Sequence, residues 1–477
     1  NSFFCWFVIC HRNSFDLYSI TISKDKTTNQ LYFEHFLNSF NQFIFESKKM
    51  KILNNENDIS KELTRIENRI TLENNEEINK TVRDILKNVQ EEGDLALKKY
   101  TLKFDGFNPD PLKVTEKEIK QAWDTTSVPL KEALKNAKYR IEKFHKKEIP
   151  QSFSIKGIYG EDVQRKWFPV KRAGLYIPGG RAAYPSTVLM NAIPAKVAGV
   201  KEIIMVSPAI KGGEINKTVL AAAHICEIDT IFKIGGAQAI AALAFGTESV
   251  NKVDVITGPG NIFVTTAKKL IFGSTGIDSL AGPSEILIIA DDTANCTHLA
   301  TDLLAQAEHD PYASAILLTT SISLAQKVAD AIYKKLENHP RKEICISSIK
   351  EWGLIGVCEN IEKCIEFSNK FAPEHLEIMT YDPKQILNKI ENAGAIFLGK
   401  WTPEAVGDYI AGPNHTLPTS GNARFSGALG VETFMKNSSI IEFNEESLHR
   451  NRDDIINLAR SEGLFSHADS VKVRFDN

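Results

Sequence analysis

Between Ala173 and Thr257 the chain repeats one pattern, an apolar run, a glycine-bearing turn and a helix, and this alternation limits the fold more than any other feature. The runs are Ala173-Gly-Leu-Tyr-Ile, Glu202-Ile-Ile-Met-Val, Thr230-Ile-Phe-Lys-Ile and Val253-Asp-Val-Ile-Thr. Helices are predicted over 186–198 (despite Pro194), 216–226 and 239–245. Strands that alternate with helices argue for an open parallel sheet, with ligands expected at the carboxyl ends of its strands. The alternation resumes at Ser284-Glu-Ile-Leu-Ile-Ile-Ala. A helical stretch over 293–309, a strand from Ala315 and a helix over 322–336 follow.

Length and charge set the outer limits. A chain of 477 residues is long enough for two cores. Its net charge is −3 and its Lys and Arg residues are dispersed, so it carries no nucleic-acid footprint. Its seven cysteines form no CxxC pair, which fits a reducing compartment, and cytoplasm is the expected location. Residues 1–49 stand apart, with nine of the chain's 26 phenylalanines. Their apolar run over 3–10 is too short to cross a bilayer and lacks the flanks of a signal peptide. Ordinary amphipathic sequence opens at Met50. Residues 1–49 are therefore expected to be an extension upstream of the natural start, disordered or not native; the alternative is an organellar targeting segment.

Scaffold helices are predicted over 76–99, with a break at Gly93, and over 129–147, where Leu130, Ala133, Leu134, Ala137, Ile141 and Phe144 line one side. Residues suited to chemistry come later. Leu299, Ala300, Leu303, Leu304 and Ala307 mark the buried stripe of one helix and leave Gln306 and His309 on its other side. Three residues apart, these two are either a hydrogen-bonded helix face or two ligands of one ion. The turns at Pro178-Gly-Gly, Gly235-Gly-Ala-Gln and Gly258-Pro-Gly-Asn place small residues where a backbone must approach something closely. None is a full dinucleotide fingerprint, and tight turns and a nucleotide site both remain open. Glu374 and His375 are adjacent, so their side chains are expected to diverge and to perform different jobs. A long Gly/Ser/Thr/Asn-rich loop follows His415, and loops of that length are commonly functional. Glu462, at the C-terminal end of a helix predicted from about 447, opposes the helix dipole and is expected to have a partner. His467 lies just beyond.

Taken together, Glu92-Gly-Asp94, Tyr176-Ile-Pro-Gly-Gly-Arg-Ala-Ala-Tyr-Pro, Gly235-Gly-Ala-Gln, Gly258-Pro-Gly-Asn, Ala281-Gly-Pro-Ser-Glu, Gln306-Ala-Glu-His, Ala372-Pro-Glu-His, Gly407-Asp-Tyr and Asn414-His-Thr-Leu-Pro-Thr resemble the histidinol dehydrogenases. They occur in family order from Met50 to the C-terminus. The resemblance implies an α/β fold of two open parallel-sheet domains, incomplete Rossmann-like and aldehyde-dehydrogenase-like, with helical N-terminal and small C-terminal segments. It divides the chain into 1–49 (extension), 50–75 (N-terminal arm), 76–175 with 281–430 (substrate and zinc domain), 176–280 (NAD-binding domain) and 431–477 (a segment crossing to a second subunit). The implied reaction is the four-electron oxidation of L-histidinol through L-histidinaldehyde to L-histidine, the last steps of histidine biosynthesis, with NAD as acceptor.

One Zn²⁺ per subunit is implied on Gln306, His309, Asp408 and His467, a set poor in negative charge that can accept nitrogen ligands from the substrate. The same set would hold Mn²⁺ or Co²⁺. His375 matches the family's base for the alcohol step and Glu374 the residue that activates water for the aldehyde step. Substrate contacts are implied at Ser284, Gln306, His309, His375, Asp408, His415, Glu462 and His467, and NAD contacts at Tyr176, Gln238 and Asn261. The family's homodimer would share its sites, with Glu462 and His467 entering the partner's. No nucleic acid or membrane is implied.

Three rivals are distinguishable. An aldehyde-dehydrogenase mechanism would use Cys296 as a covalent nucleophile. A zinc hydrolase would use Glu374 as base without NAD. A two-lobed protein that binds an imidazole compound through zinc would leave Glu374 and His375 idle.

Overall fold

The computed structural model describes residues 3–11, 14–22, 50–69, 76–179, 183–210, 212–280 and 282–476. Residues 23–49 of the extension, 70–75 of the arm, Gly180–Ala182 of the first glycine turn and Ala281 lie outside the described residues. Two open parallel sheets dominate, as the alternation implies. The first reads across as Gly276–Ile277, Val255–Thr257, Arg172–Tyr176, Glu202–Val206 and Thr230–Phe232. The chain starts in the middle, builds outward to one edge, returns and builds to the other. The strand order therefore reverses between Arg172–Tyr176 and Val255–Thr257, the place where open sheets of this kind generally offer a crevice.

Helices cover both faces of this sheet. Pro185–Ala198 and Lys217–Ile225 pack on one, backed by Glu116–Thr125 and Val128–His145. Gly236–Phe245 and Ile262–Ile271 pack on the other, backed by Glu76–Glu92 and Asp94–Asp105. Glu76–Glu92 joins through Val82, Ile85, Leu86 and Val89, one stripe at helical spacing. Gly93 breaks the run at φ +55°, a left-handed turn open to glycine. Residues 76–145, expected within the substrate and zinc domain, pack as outer layers of the first sheet. Their stripe reveals that a partner exists without revealing which.

The second sheet repeats the order. It reads Ala395–Leu398, His375–Met379, Glu285–Ala290, Ser314–Thr319, Gly353–Val357 and Lys51–Leu53, all parallel. Its reversal falls between Glu285–Ala290 and His375–Met379. Both strands are buried along their whole length, as all-parallel sheets require. Lys51–Leu53, expected only as an arm, forms the sheet's edge.

A third sheet was not foreseen. Phe153–Lys156, Asp162–Pro169 and Met435–Glu442 pair antiparallel, with Met435 opposite Pro169. Their residues are mostly exposed or half-exposed, so no buried apolar run marks them as strands. Beyond it, Glu445–Ser461 and Phe465–Lys472 pack on each other through Ile456, Ala459, Ala468 and Val471. Leu458, Phe465 and Val473 remain exposed. Phe3–His11 and Ser14–Ile22 pair antiparallel as a separate two-stranded sheet. Among the described residues no helix is long and apolar enough to cross a membrane.

Candidate active site

Glu285 and His375 open the two strands that flank the second sheet's reversal, so the site begins at the amino edge of that sheet, opposite to the edge that parallel sheets usually offer. The connection explains it. After strand Glu285–Ala290 the helix Cys296–Ala307 runs back antiparallel to the sheet, and its C-terminal end returns Gln306 and His309 to the amino edge. Cys296 starts the same helix, so roughly 15 Å of helix separates it from Gln306. A covalent mechanism at Cys296 is therefore removed from this edge.

Two side chains hang on the backbone of Glu285. Its carbonyl accepts from His375 Nδ1 at 2.9 Å, and its amide donates to Glu374 Oε2 at 2.8 Å. With Nδ1 carrying the proton, the lone pair of His375 lies on Nε2, a buried atom with no hydrogen-bond partner among the described residues. Burial lowers the His375 pKa to about 4, against the opposing pull of Asp408, so the imidazole is neutral at neutral pH. Burial also pushes the Glu374 carboxyl well above the usual range, and Glu285 and Asp408 add to the effect. The expected divergence of Glu374 and His375 does not hold. Glu374 lies at a bend ahead of the strand, outside its two-residue alternation, and Oε2 comes within 3.6 Å of His375 Nδ1. That approach is too long for a hydrogen bond.

Around this pair gather further polar groups, and Gln306 Oε1 and Glu404 Oε2 have no hydrogen bond among the described residues. Gln306 is fully buried, its Nε2 3.4 Å from His375 Nδ1, and its Oε1 has no hydrogen bond among the described residues. His309, Glu404 and Asp408 present ligand atoms all within 4.8 Å of one another. Glu404 was not foreseen. It stands four residues before Asp408 on the helix Glu404–Tyr409, a spacing that stacks two carboxylates on one face and was legible in the sequence. Its Oε1 is 3.6 Å from His375 Nδ1, and burial raises its pKa well above the usual range, with Asp408, Glu374, Glu377 and Asp302 contributing. His415 Nδ1 lies 3.1 Å from the Asp408 carbonyl, and its Nε2 3.5 Å from Thr187 Oγ1. Burial lowers the His415 pKa. Ser284 precedes Glu285 on the same edge.

Two expected residues are elsewhere. Glu462 ends the helix Glu445–Ser461 as its C-cap, and His467 lies in the separate helix Phe465–Lys472. Both are exposed, and among the described residues neither shares a side-chain hydrogen bond or ion pair with the group above.

The other three expected residues lie at the carboxyl end of the first sheet. Tyr176 ends one strand of the reversal and Gly258 follows the other. Gly258 has φ +113°, and a Cβ there would lie 2.0 Å from the Tyr176 carbonyl oxygen. Its amide donates to Asp278 Oδ2 at 2.8 Å and its carbonyl accepts from Lys268 Nζ at 3.1 Å, while Lys268 and Asp278 pair with each other. Tyr176 Oη accepts from the Gly236 amide at 3.2 Å, which ties two turns together. Asn261 Oδ1 caps the helix Ile262–Ile271, accepting from the amides of Phe263 and Val264 at 3.0 and 3.2 Å. Gln238 is buried in the first turn of Gly236–Phe245. Gly258→Ala meets both a forbidden φ and a backbone clash, and is expected to cost at least about 1–3 kcal/mol. Thermal unfolding checks it; an unchanged melting temperature would show that the turn accepts a side chain.

Comparison with known proteins bears on most of the chain. The family model described as histidinol dehydrogenase matches residues 68–475. A histidinol dehydrogenase of Prochlorococcus marinus (strain MIT 9312) is 70% identical over 435 residues, 91% of this chain and 99% of that protein. That of Thermosynechococcus vestitus is 52% identical over 89% of this chain and 99% of its own. The crystal structure of histidinol dehydrogenase from Elizabethkingia anophelis superposes with a TM-score of 0.84 at 37% identity, covering 90% of this chain and 98% of that one.

Proposed function

The chain belongs to the histidinol dehydrogenase family, and from that premise we propose that it oxidises L-histidinol through the aldehyde to L-histidine with NAD⁺ as the acceptor. The observation that carries the reading is the neutral, buried His375. Its Nδ1–H is held by the Glu285 carbonyl, its Nε2 has no hydrogen-bond partner among the described residues, and its ring feels the charges of Asp408 and His309, two of the metal-ligating groups.

His375 Nε2 takes the hydroxyl proton as hydride leaves the alcohol carbon for the nicotinamide, giving the aldehyde. For the second oxidation, water must add to the aldehyde. Glu374, whose carboxyl is made more basic by burial, takes a proton from that water, and hydride then leaves the hydrated carbon for a second NAD⁺. The Glu285 amide keeps the Glu374 carboxyl in place throughout. Because both bases are buried, solvent is kept from competing for their protons.

Zinc fits the donor set. Gln306 Oε1 is a buried acceptor without a donor among the described residues, His309 and Asp408 converge, and Glu404 stands among the carboxylates of Asp408, Glu374 and Glu377, a grouping that favours a cation. Gln306, His309, Asp408 and His467 of the partner subunit would hold the ion, with Glu404 within reach. When bound, it supplies a Lewis-acid template that orients the substrate's imidazole and amine. Ser284, His415 and Glu462 complete the substrate contacts. Tyr176, Gln238 and Asn261 bound the crevice proposed for NAD. Since the Tyr176 hydroxyl and Asn261 Oδ1 already serve the turns, their part there is to shape backbone that approaches the dinucleotide. Residues 176–280 act as the NAD-binding unit and 281–430 as the substrate unit.

The exposed Glu462 and His467, on a segment that also leaves Leu458, Phe465 and Val473 uncovered, support a homodimer in which 431–477 crosses to the other subunit. The five cysteines with described side chains are all thiols, which fits the cytoplasm. The test is spectroscopic. Histidinol and NAD⁺ should yield reduced nicotinamide at two equivalents per histidinol, and removal of metal by a chelator should abolish the signal until Zn²⁺ is restored. Full activity in protein shown by metal analysis to be metal-free would remove the metal from the reading; absence of reduced nicotinamide from the holoenzyme would remove the reaction.

A further inference from the structure

Both proposed bases depend on a single residue of backbone, so whatever fixes Glu285 fixes them. The Glu285 side chain is wholly buried, and its Oε1 accepts from Arg69 Nη1 at 3.0 Å and from the Ser420 amide at 3.2 Å. Arg69 is almost as buried, with 1% of its side chain exposed. Its remaining donors all reach carbonyls: Nη1 to Ile66 at 2.9 Å, Nη2 to Pro283 at 2.8 Å and Nε to Tyr312 at 2.9 Å. One guanidinium thus ties the end of the helix Glu56–Glu67 to the loops that lead into two adjacent strands, Glu285–Ala290 and Ser314–Thr319.

Stability does not explain this pair. A buried ion pair is commonly no better than apolar residues of the same volume, because both charges lose their hydration. A planar fork with fixed donors does supply orientation, which a lysine ammonium on a flexible stem cannot match. The orientation it supplies here is that of the peptide whose N–H holds Glu374 and whose C=O holds His375. We propose that Arg69, acting through Glu285, is a positioning residue for both proposed bases, setting the direction of Glu374 and His375 together. This rests on the reading of those two residues as the bases of the two oxidation steps.

The test compares Arg69→Met, Arg69→Lys and Glu285→Gln in the metal-loaded enzyme, with histidinol and histidinaldehyde as separate substrates. A displacement of about 1 Å at reacting groups is worth about 100-fold in rate, so kcat is expected to fall by about 10- to 100-fold in Arg69→Met. KM and metal content should change little, and the alcohol and aldehyde steps should fall by the same factor because they share one anchor. Arg69→Lys should recover part of the loss, and Glu285→Gln should fall between the two. A lowered melting temperature with wild-type kcat at a temperature where the protein is folded would overturn the role. If Arg69→Met does not fold, Arg69→Lys and Glu285→Gln are judged by the same criterion. His375→Asn and Glu374→Gln separate the two claims. If His375→Asn loses the alcohol step and Glu374→Gln the aldehyde step while the Arg69 variants turn over normally, only the positioning role fails; if both retain full activity on both substrates, both claims fail.

Discussion

Replacing His375 by asparagine is expected to lower kcat for histidinol by about 10²- to 10⁴-fold, the usual contribution of a positioned general base. Asparagine is the informative replacement because its amide can still donate to the Glu285 carbonyl, so the anchor is preserved while the basic Nε2 is lost. KM should move little, since a base whose work is done in the transition state does not hold the ground state. Glu374→Gln should behave differently. Its amide oxygen can still accept the Glu285 N–H, so histidinol should be oxidised as far as the aldehyde while oxidation of supplied histidinaldehyde slows by a similar factor. The two variants read together are sharper than either alone. Alcohol oxidation at the wild-type rate in His375→Asn would remove His375 from the first step, and equal loss on both substrates in Glu374→Gln would end the division of labour.

Local pattern made the elements legible, and long-range pairing hid their arrangement. The helix Ile322–Leu336 is found where its apolar spacing puts it, and the parallel sheets follow from the alternation. Strand order did not follow, because an apolar run buried on both faces looks the same at the centre of a sheet as one place outward. Glu76–Glu92 and Val128–His145 were readable as helices, but not the sheet on which they pack. The strand Met435–Glu442 was invisible because almost nothing in it is buried. At the site, Gln306 and His309 stood out by spacing, while Glu404 passed unnoticed although its relation to Asp408 is equally regular. The Arg69–Glu285 pair spans 216 positions, and no local pattern marks it. The supposed divergence of Glu374 and His375 failed for a narrower reason, a strand that begins one residue later than the rule assumed.

Shared sites predict a reversal of activity between two kinds of mixed dimer. Glu462 and His467 are exposed in the single chain and belong to a helix pair with a small core of its own, so their proposed roles require a second subunit to bring them to the amino edge of the second sheet. Let one chain carry His375→Asn and the other His467→Ala, each tagged differently, and purify the heterodimer. If the segment crosses, one site combines an intact His375 with an intact His467 from the other chain, and the heterodimer should show about half the wild-type activity, although each parent homodimer is nearly inactive. If it does not cross, both sites are damaged and the heterodimer is as inactive as its parents. Pairing a wild-type chain with one that carries both substitutions inverts the outcome: crossing damages both sites, whereas folding back leaves the wild-type chain's site whole. A half-active second heterodimer with an inactive first would show that each chain completes its own site.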